Sequence, residues 1–224
     1  MIDQLIINNV ASFDDFGASL KSRQAKAPKK KSIRESVPFS NITHDFSAIN
    51  GEVYWEDAEI SYTFEIIAPT PEDLERKKIA FKAWVMNIAN ANIYDPFTPD
   101  YHYKGTFDSI DIADEESIEK STITVNFLCY PYQIANETTV YNFTVEAGAE
   151  ITANILNNSA HQITPTVLTD ALFVLTLDNS SYALPIGEVK DNIFKLSAGL
   201  NTLTIQNTSE TTGKITIKFY GEVF

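Results

Sequence analysis

The stretch Glu59-Ile60-Ser61-Tyr62-Thr63-Phe64-Glu65-Ile66-Ile67-Ala68-Pro69-Thr70-Pro71-Glu72-Asp73-Leu74 changes its period halfway along. Ile60, Tyr62, Phe64 and Ile66 alternate with polar residues, the two-residue period of a strand with one buried face. Then Thr70 stands as a helix N-cap, Pro71 fits the first helical position, and Glu72 and Asp73 suit the positive end of a helix dipole. Leu74, Phe81, Val85 and Ile88 continue as one apolar stripe, so the spacing predicts the only substantial helix over 71–90. Outward from this pair the chain reads almost entirely as strands. Leu5 and Ile7 open a short one, and Tyr94-Asp95-Pro96-Phe97-Thr98-Pro99-Asp100 is barred from helix by its two prolines. Strands resume at Tyr101 and again at Ile123, Val125 and Phe127.

Charge divides the 224 residues into three regions. Residues 1–34 carry seven basic and three acidic side chains, residues 35–133 six and eighteen, and residues 134–224 four and nine, giving −13 in all. A chain this acidic is a poor general nucleic-acid binder, because phosphate affinity comes from clustered Lys and Arg. After Tyr132 the charge density falls, and Asn plus Thr make up 23 of the last 91 residues, which suits half-exposed strands and turns. A domain boundary is placed near 133, giving domains 1–133 and 134–224. In the second, Tyr141, Phe143, Val145; Ile151, Ala153, Ile155; Phe173, Leu175, Leu177; Tyr182, Leu184, Ile186; Leu203, Ile205; and Ile215, Ile217, Phe219 alternate. Turn signals separate them at Ala147-Gly148, Asn157-Asn158, Asp178-Asn179 and Thr212-Gly213. That pattern predicts an antiparallel β-sandwich. No sequence repeat links the two domains.

The longest apolar run is Ala171–Leu175, far below the roughly 20 residues of a membrane helix, so no membrane span is expected. The start, Met1-Ile2-Asp3-Gln4, lacks the basic and apolar regions of a signal peptide, and Cys129 is the single cysteine. Both features suit folding in a reducing cytoplasm.

Chemistry is scarce. Cys129 sits in Val125-Asn126-Phe127-Leu128-Cys129-Tyr130, an apolar setting that keeps a thiol inert. His44, His102 and His161 form no metal-ligand spacing, and no Gly-x-Ser-x-Gly elbow occurs. Asp108, Asp111, Asp114, Glu115 and Glu116 lack calcium-loop spacing and read as a solvated turn between strands. Asn136-Glu137-Thr138 and Asn142-Phe143-Thr144 are chance sequons in a chain rich in Asn and Thr. No catalytic residue, metal or cofactor is expected. The distinctive charge feature is a basic arm over about 17–34, holding Lys21, Arg23, Lys26, Lys29, Lys30, Lys31 and Arg34. It reads as a solvated loop, a contact with another copy of this acidic chain, or a nucleic-acid contact. For the subunit-contact reading the residues named are Lys26, Lys29, Lys30, Lys31 and Arg34.

The order of several segments goes further. Gly51-Glu52-Val53-Tyr54-Trp55, Ile60-Ser61-Tyr62-Thr63-Phe64-Glu65-Ile66, the helix, Ile93-Tyr94-Asp95, Pro99-Asp100-Tyr101-His102-Tyr103-Lys104-Gly105 and Ile123-Thr124-Val125-Asn126-Phe127-Leu128-Cys129-Tyr130-Pro131-Tyr132 together resemble the distal tail proteins (Dit) of long-tailed phages and prophages of Gram-positive bacteria. Over 134–224 the resemblance rests on Leu196-Ser197-Ala198-Gly199-Leu200-Asn201-Thr202-Leu203-Thr204-Ile205 and the sandwich pattern. It implies a mainly β fold, an N-terminal barrel or sandwich-like domain with one helix and a C-terminal sandwich like a galectin or carbohydrate-binding module. It implies a structural role as the baseplate hub at the virion tail tip, assembled in the bacterial host cytoplasm. There a hexameric ring would join the tail tube and tape-measure proteins to the tip protein and carry receptor-binding components. N-terminal domains would surround a channel that passes DNA without binding it. The alternative is a cell-wall carbohydrate-binding protein, for which the C-terminal domain offers no Trp and only Tyr141, Tyr182 and Tyr220. Tyr141 and Tyr182 share faces with aliphatic residues and are expected to point inward, leaving Tyr220 as one exposed ring.

Overall fold

The computed structural model describes residues 3–36, 39, 41, 43–47, 53–114, 119–190 and 194–224. The chain divides into two compact units, one of Met1–Gln133 with Phe224, the other Ile134–Val223. The first unit holds β1 (Ile6–Ile7), β2 (Val10–Ala11), α1 (Ser12–Phe16), β3 (Ala18–Ala25), β4 (Arg34–Ser36), β5 (Thr43–Asp45), β6 (Ala58–Ile67), α2 (Pro71–Met86), β7 (Ala91–Tyr94), β8 (Tyr101–Asp114) and β9 (Lys120–Cys129).

Its strands pair antiparallel in the order β3-β6-β9-β8-β7-β1-β2, with β4 and β5 forming a separate two-stranded ribbon. Alternation decides which face is buried. Ile60, Tyr62, Phe64 and Ile66 from β6 and Ile123, Val125, Phe127 and Cys129 from β9 are all within 1% of full burial. They form one core with Leu74, Phe81 and Val85 of α2. The Phe81 ring lies 5.0 Å from Phe64, 6.0 Å from Phe16 and 5.6 Å from Trp84, so α1, α2 and the sheet meet on one aromatic. Burying such a side chain stabilises by roughly 1.5–3 kcal/mol.

Helix α2 starts as its caps require. Thr70 Oγ1 accepts from the Asp73 N–H at 3.2 Å, and Pro71 occupies the first turn. It ends at Met86, four residues before the expected 90. Asn87 closes it by donating Nδ2 to the Ala83 carbonyl at 2.6 Å, and Asn90 takes a left-handed φ of 47° that leads into β7. Ile88 is buried from beyond the helix end.

The expectation of an arm over 17–34 is corrected for its first half. Ala18–Ala25 is a strand paired with β6 over its whole length, and Ala18 and Leu20 are buried. A bulge at Lys21, between the Leu20 and Ser22 pairings, re-aims the side chains and hides the alternation that would have announced the strand. Asp108, Asp111 and Asp114 likewise lie on β8 rather than in a turn, with a bulge at Asp108 between the Phe107 and Ser109 pairings. Glu115 and Glu116 fall outside the described residues, as do Gly51 and Glu52.

The second unit holds the rest of β10 (Gln133–Val145), then β11 (Glu150–Asn157), β12 (Thr166–Thr169), β13 (Phe173–Leu177), β14 (Ser180–Leu184), β15 (Gly187–Val189), β16 (Gly199–Asn207) and β17 (Gly213–Val223). Two sheets, β15-β12-β17-β10 and β11-β16-β13-β14, enclose a core that includes Val145, Ile155, Val167, Phe173, Leu175, Leu203, Ile205, Ile215 and Ile217. This is an antiparallel sandwich. β12 and β15, too short to show a period, were not expected, and β14 stops before Pro185, leaving Ile186 exposed. Asp178 and Asn179 take φ of 48° and 65°, the two left-handed positions of a tight hairpin between β13 and β14.

Two buried asparagines tie this sandwich together in the same way. Asn157 and Asn207 end the neighbouring strands β11 and β16, in Asn157-Asn158-Ser159 and Asn207-Thr208-Ser209. Each Oδ1 accepts at 2.9 Å from the N–H two residues on. Each Nδ2 donates to the carbonyl four residues on, His161 at 3.1 Å or Thr211 at 2.8 Å, and to a distant strand or loop carbonyl, Leu196 at 3.1 Å or Val145 at 3.0 Å. In both Asn-x-Ser triplets the buried amide therefore ties the end of its strand to a nearby turn and to a distant segment of backbone.

Candidate functional site

The residues named for a subunit contact are spread along a ribbon of the first unit. Lys26 leaves β3 with its N–H donated to the Glu59 carbonyl at 3.0 Å and its Nζ on Glu59 Oε2 at 2.5 Å. The Lys29 carbonyl accepts from Glu56 N–H at 2.7 Å, Lys30 bridges Trp55, and Lys31 N–H donates to the Tyr54 carbonyl at 2.8 Å. Further out, Arg34 of β4 pairs with Asp45 of β5 at 3.4 Å. The run is thus one side of a two-stranded ribbon whose other side supplies Tyr54 to Glu59 and Thr43 to Asp45. All five follow one another along that side, and two of them, Lys26 and Arg34, form ion pairs within the chain. Lys30 Nζ lies 5.8 Å from the Trp55 ring centre, a cation–π distance. Lys29, Lys30 and Lys31 make no ion pair among the described residues.

Where β3 enters the ribbon, Arg23 is drawn into a buried polar cluster. The Asp95 side chain is 1% exposed and Arg23 18%. Asp95 Oδ2 accepts from the Tyr62 hydroxyl at 2.6 Å and from Arg23 Nη1 at 3.2 Å. Its Oδ1 accepts from the N–H groups of Phe97 at 2.9 Å and Thr98 at 3.2 Å, the geometry of an Asp-initiated turn. Arg23 also donates to Thr98 Oγ1 at 3.0 Å, and its guanidinium lies 5.3 Å from the Phe97 ring and 5.7 Å from Tyr103. Burial first, and then the Asp95 charge, pushes the Tyr62 hydroxyl well above its ordinary pKa, so it stays a donor. The cluster fixes the 94–100 turn against β3. Asp95 was visible in sequence through Asp95-Pro96; its partners Arg23 and Tyr62 carried no signal, since both lie in other strands.

The remaining candidates do not converge. Cys129 is fully buried, and burial followed by the nearby Asp57 charge pushes its thiol up to about 12, an inert setting. Sγ also fills the space beside Gly105, where a Cβ would lie 2.5 Å from it. His44 is on β5 against Phe46, His102 is buried against Tyr94, and His161 pairs with Glu222 at 2.7 Å. No group of three or more His, Cys, Asp or Glu that would hold a metal occurs among the described residues, and no helix among them is long and apolar enough to cross a membrane.

In the second unit the aromatic residues make no platform. Tyr141 is half-buried against Phe219, its hydroxyl accepting from Leu156 N–H at 3.1 Å. Tyr182 is half-buried against Phe194 beside a cavity of about 260 Å³ also lined by Val167, Leu184 and Val189. Tyr220 is 51% exposed and is the one open tyrosine ring of the three.

No protein-family model matches the sequence, and no curated protein matches it. Among solved structures it is similar to the SPP1 Dit protein, described as a paradigm of the hub adsorption apparatus in phages that infect Gram-positive bacteria. That match has 12% identity, a TM-score of 0.69, and covers 98% of this chain and 99% of that one. A chain of the phage P2 baseplate, in its activated conformation with calcium, matches at 9% identity over 97% of this chain and 98% of that one. Its TM-score is 0.41. Through both units, the chain has the fold of a phage distal tail protein.

Proposed function

We propose that this chain is a structural hub protein of a phage tail tip. The observation that carries the reading is the agreement of fold over 98% of the chain with the SPP1 Dit hub protein. In this reading six copies form a ring that joins the tail tube and tape-measure proteins to the tip protein and carries receptor-binding components. The protein works at the virion tail tip and is assembled in the bacterial host cytoplasm. The first unit, 1–133, forms the ring around a channel, and the second unit, 134–224, faces outward as a docking surface for other tail proteins. The net charge of −12 over residues 35–133 suits a channel that passes DNA without holding it. The role is not enzymatic: the buried, inert Cys129 and the separated histidines supply no nucleophile and base within reach of each other.

Lys26, Lys29, Lys30, Lys31 and Arg34 are the subunit-contact residues of this reading. Exposed Ile33, Phe46, Val53 and Tyr54 on the same ribbon support it. A two-stranded ribbon with no core beneath it is marginal in water, and covering those side chains with a second copy stabilises it. The carbohydrate-binding alternative needs coplanar open rings, which Tyr141, Tyr182 and Tyr220 do not supply.

Light scattering and negative-stain imaging of the purified protein test the reading. A chain of 25.0 kDa should give rings of about 150 kDa as the concentration rises. Replacing Lys29, Lys30 and Lys31 with Glu should weaken them while leaving thermal unfolding within a few degrees. A protein that stays monomeric at high concentration and low salt would refute the ring.

A further inference from the structure

The first unit contains a cavity of about 390 Å³, lined in part from β3, β6 and β8. Small-molecule sites typically have roughly 300–1,000 Å³, apolar walls and a few polar groups that fix orientation. Trp55, Ile60 and Phe224 supply such walls here, with the Trp55 and Phe224 ring centres 4.9 Å apart. Two polar groups in the cavity have bonding capacity to spare. Tyr103 is 5% exposed, and its hydroxyl makes no hydrogen bond among the described residues. The one fully enclosed side-chain polar atom without a partner among them is Gln133 Oε1, in the same wall, so the Tyr103 hydroxyl opens into the cavity. Burial raises the Tyr103 pKa, which keeps that hydroxyl a donor. The Arg23 guanidinium lies 5.7 Å from the Tyr103 ring, and its bonds to Asp95 and Thr98 all run from Nη1. Nε and Nη2, an edge that can grip a carboxylate through two parallel bonds, make no hydrogen bond among the described residues. Lys26, the other charged lining residue, is taken up by Glu59.

We propose that this cavity binds a carboxylate carried on a small apolar body, such as an arylalkanoic acid. The carboxylate sits against Arg23 Nε and Nη2 and accepts from the Tyr103 hydroxyl, while the apolar body lies against Trp55, Ile60 and Phe224. A purely apolar guest would displace water and leave those three donor groups without an acceptor, a cost that a carboxylate avoids. Asp95 already offsets the Arg23 charge through Nη1, so the walls supply most of the affinity and the carboxylate sets orientation. The inference does not depend on the ring reading.

Calorimetric titration of the full chain with hydrocinnamate should show saturable binding at one site per chain. Its neutral amide should bind at least about tenfold more weakly. Tyr103→Phe removes a hydroxyl that bonds to nothing among the described residues, so folding should be kept and binding should weaken about fivefold. Ala27→Trp, at an exposed lining position, should fill the cavity and abolish binding. N-acetylglycylphenylalanine presents the carboxylate as a chain end. Tighter binding than hydrocinnamate would identify a chain end as the source of the carboxylate, and weaker binding a free acid; both keep the site. No binding of either acid, equal binding of hydrocinnamate and its amide, or binding indifferent to both variants would each overturn the proposal.

Discussion

Replacing Asp95 with Ala should be among the most damaging single changes in the first unit. The carboxylate is 1% exposed and accepts from Tyr62, Arg23 and two backbone amides of the 94–100 turn. Without it the fully buried Tyr62 hydroxyl loses its acceptor, and the Arg23 guanidinium, 18% exposed, loses its counter-charge and keeps only the Thr98 hydroxyl. Removing one partner of a buried ion pair costs about 3–5 kcal/mol, because the other charge is stranded. The partners share one carboxylate, so their contributions do not simply add, and about 4 kcal/mol is expected. For a unit of this size 1 kcal/mol moves the midpoint by about 3–5 °C, which gives a fall of about 12–20 °C. Trp55 and Trp84 both lie in the first unit and the second has no Trp, so tryptophan emission through a urea melt reads that unit alone. Arg23→Met combined with Asp95→Leu should lose less than Asp95→Ala, since neither charge is left unpaired. If Asp95→Ala stays within about 1 kcal/mol of the parent, the cluster does not hold the turn and the reasoning is wrong.

Gly105→Ala should cost about 1–3 kcal/mol through overpacking, since the new Cβ would lie 2.5 Å from Cys129 Sγ; adding Cys129→Ala should return most of it, which paired urea melts would show. Asn157→Ala and Asn207→Ala should each destabilise the second unit by about 2–4 kcal/mol, because each amide serves several buried backbone groups at once; hydrogen exchange of the amides in residues 134–224 would show it. Glu65 sits between Lys120 at 2.8 Å and Lys21 at 2.7 Å, which hold its pKa below the ordinary 4.5. Its contribution is therefore full above pH 4.5 and is lost as the pH falls through the lowered value. Glu65→Gln should cost less than about 1 kcal/mol near neutrality, as the pair is partly solvated, and the gap to the parent should close in acid. A gap that widens below pH 4 would contradict the assignment.

Much of the architecture was legible because it follows from local pattern. The period of Ile60 to Ile66 selects one face of β6, and Thr70-Pro71-Glu72-Asp73 starts α2 where it does, since caps and first-turn charges act within a few residues. Cys129 could be placed in a core from its apolar neighbours alone. Asp178-Asn179 announced the hairpin because left-handed φ favours those residue types. The chain's resemblance to distal tail proteins rested on the order of such segments, and the fold agrees with it.

What the sequence left open concerns pairing at a distance. Ala18–Ala25 is polar over half its length and bulged at Lys21, so its strand character comes from β6 rather than from its own period. Arg23 meets Asp95 across 72 positions, and Asn157 reaches Leu196 across 39. A buried charge or amide is placed by whichever backbone the fold brings beside it, and no local propensity encodes that neighbour. The basic run shows the same division. Its charge was plain in the sequence, but only the tertiary structure decided that Lys26 and Arg34 pair with carboxylates in their own chain and that Lys30 lies over the Trp55 ring.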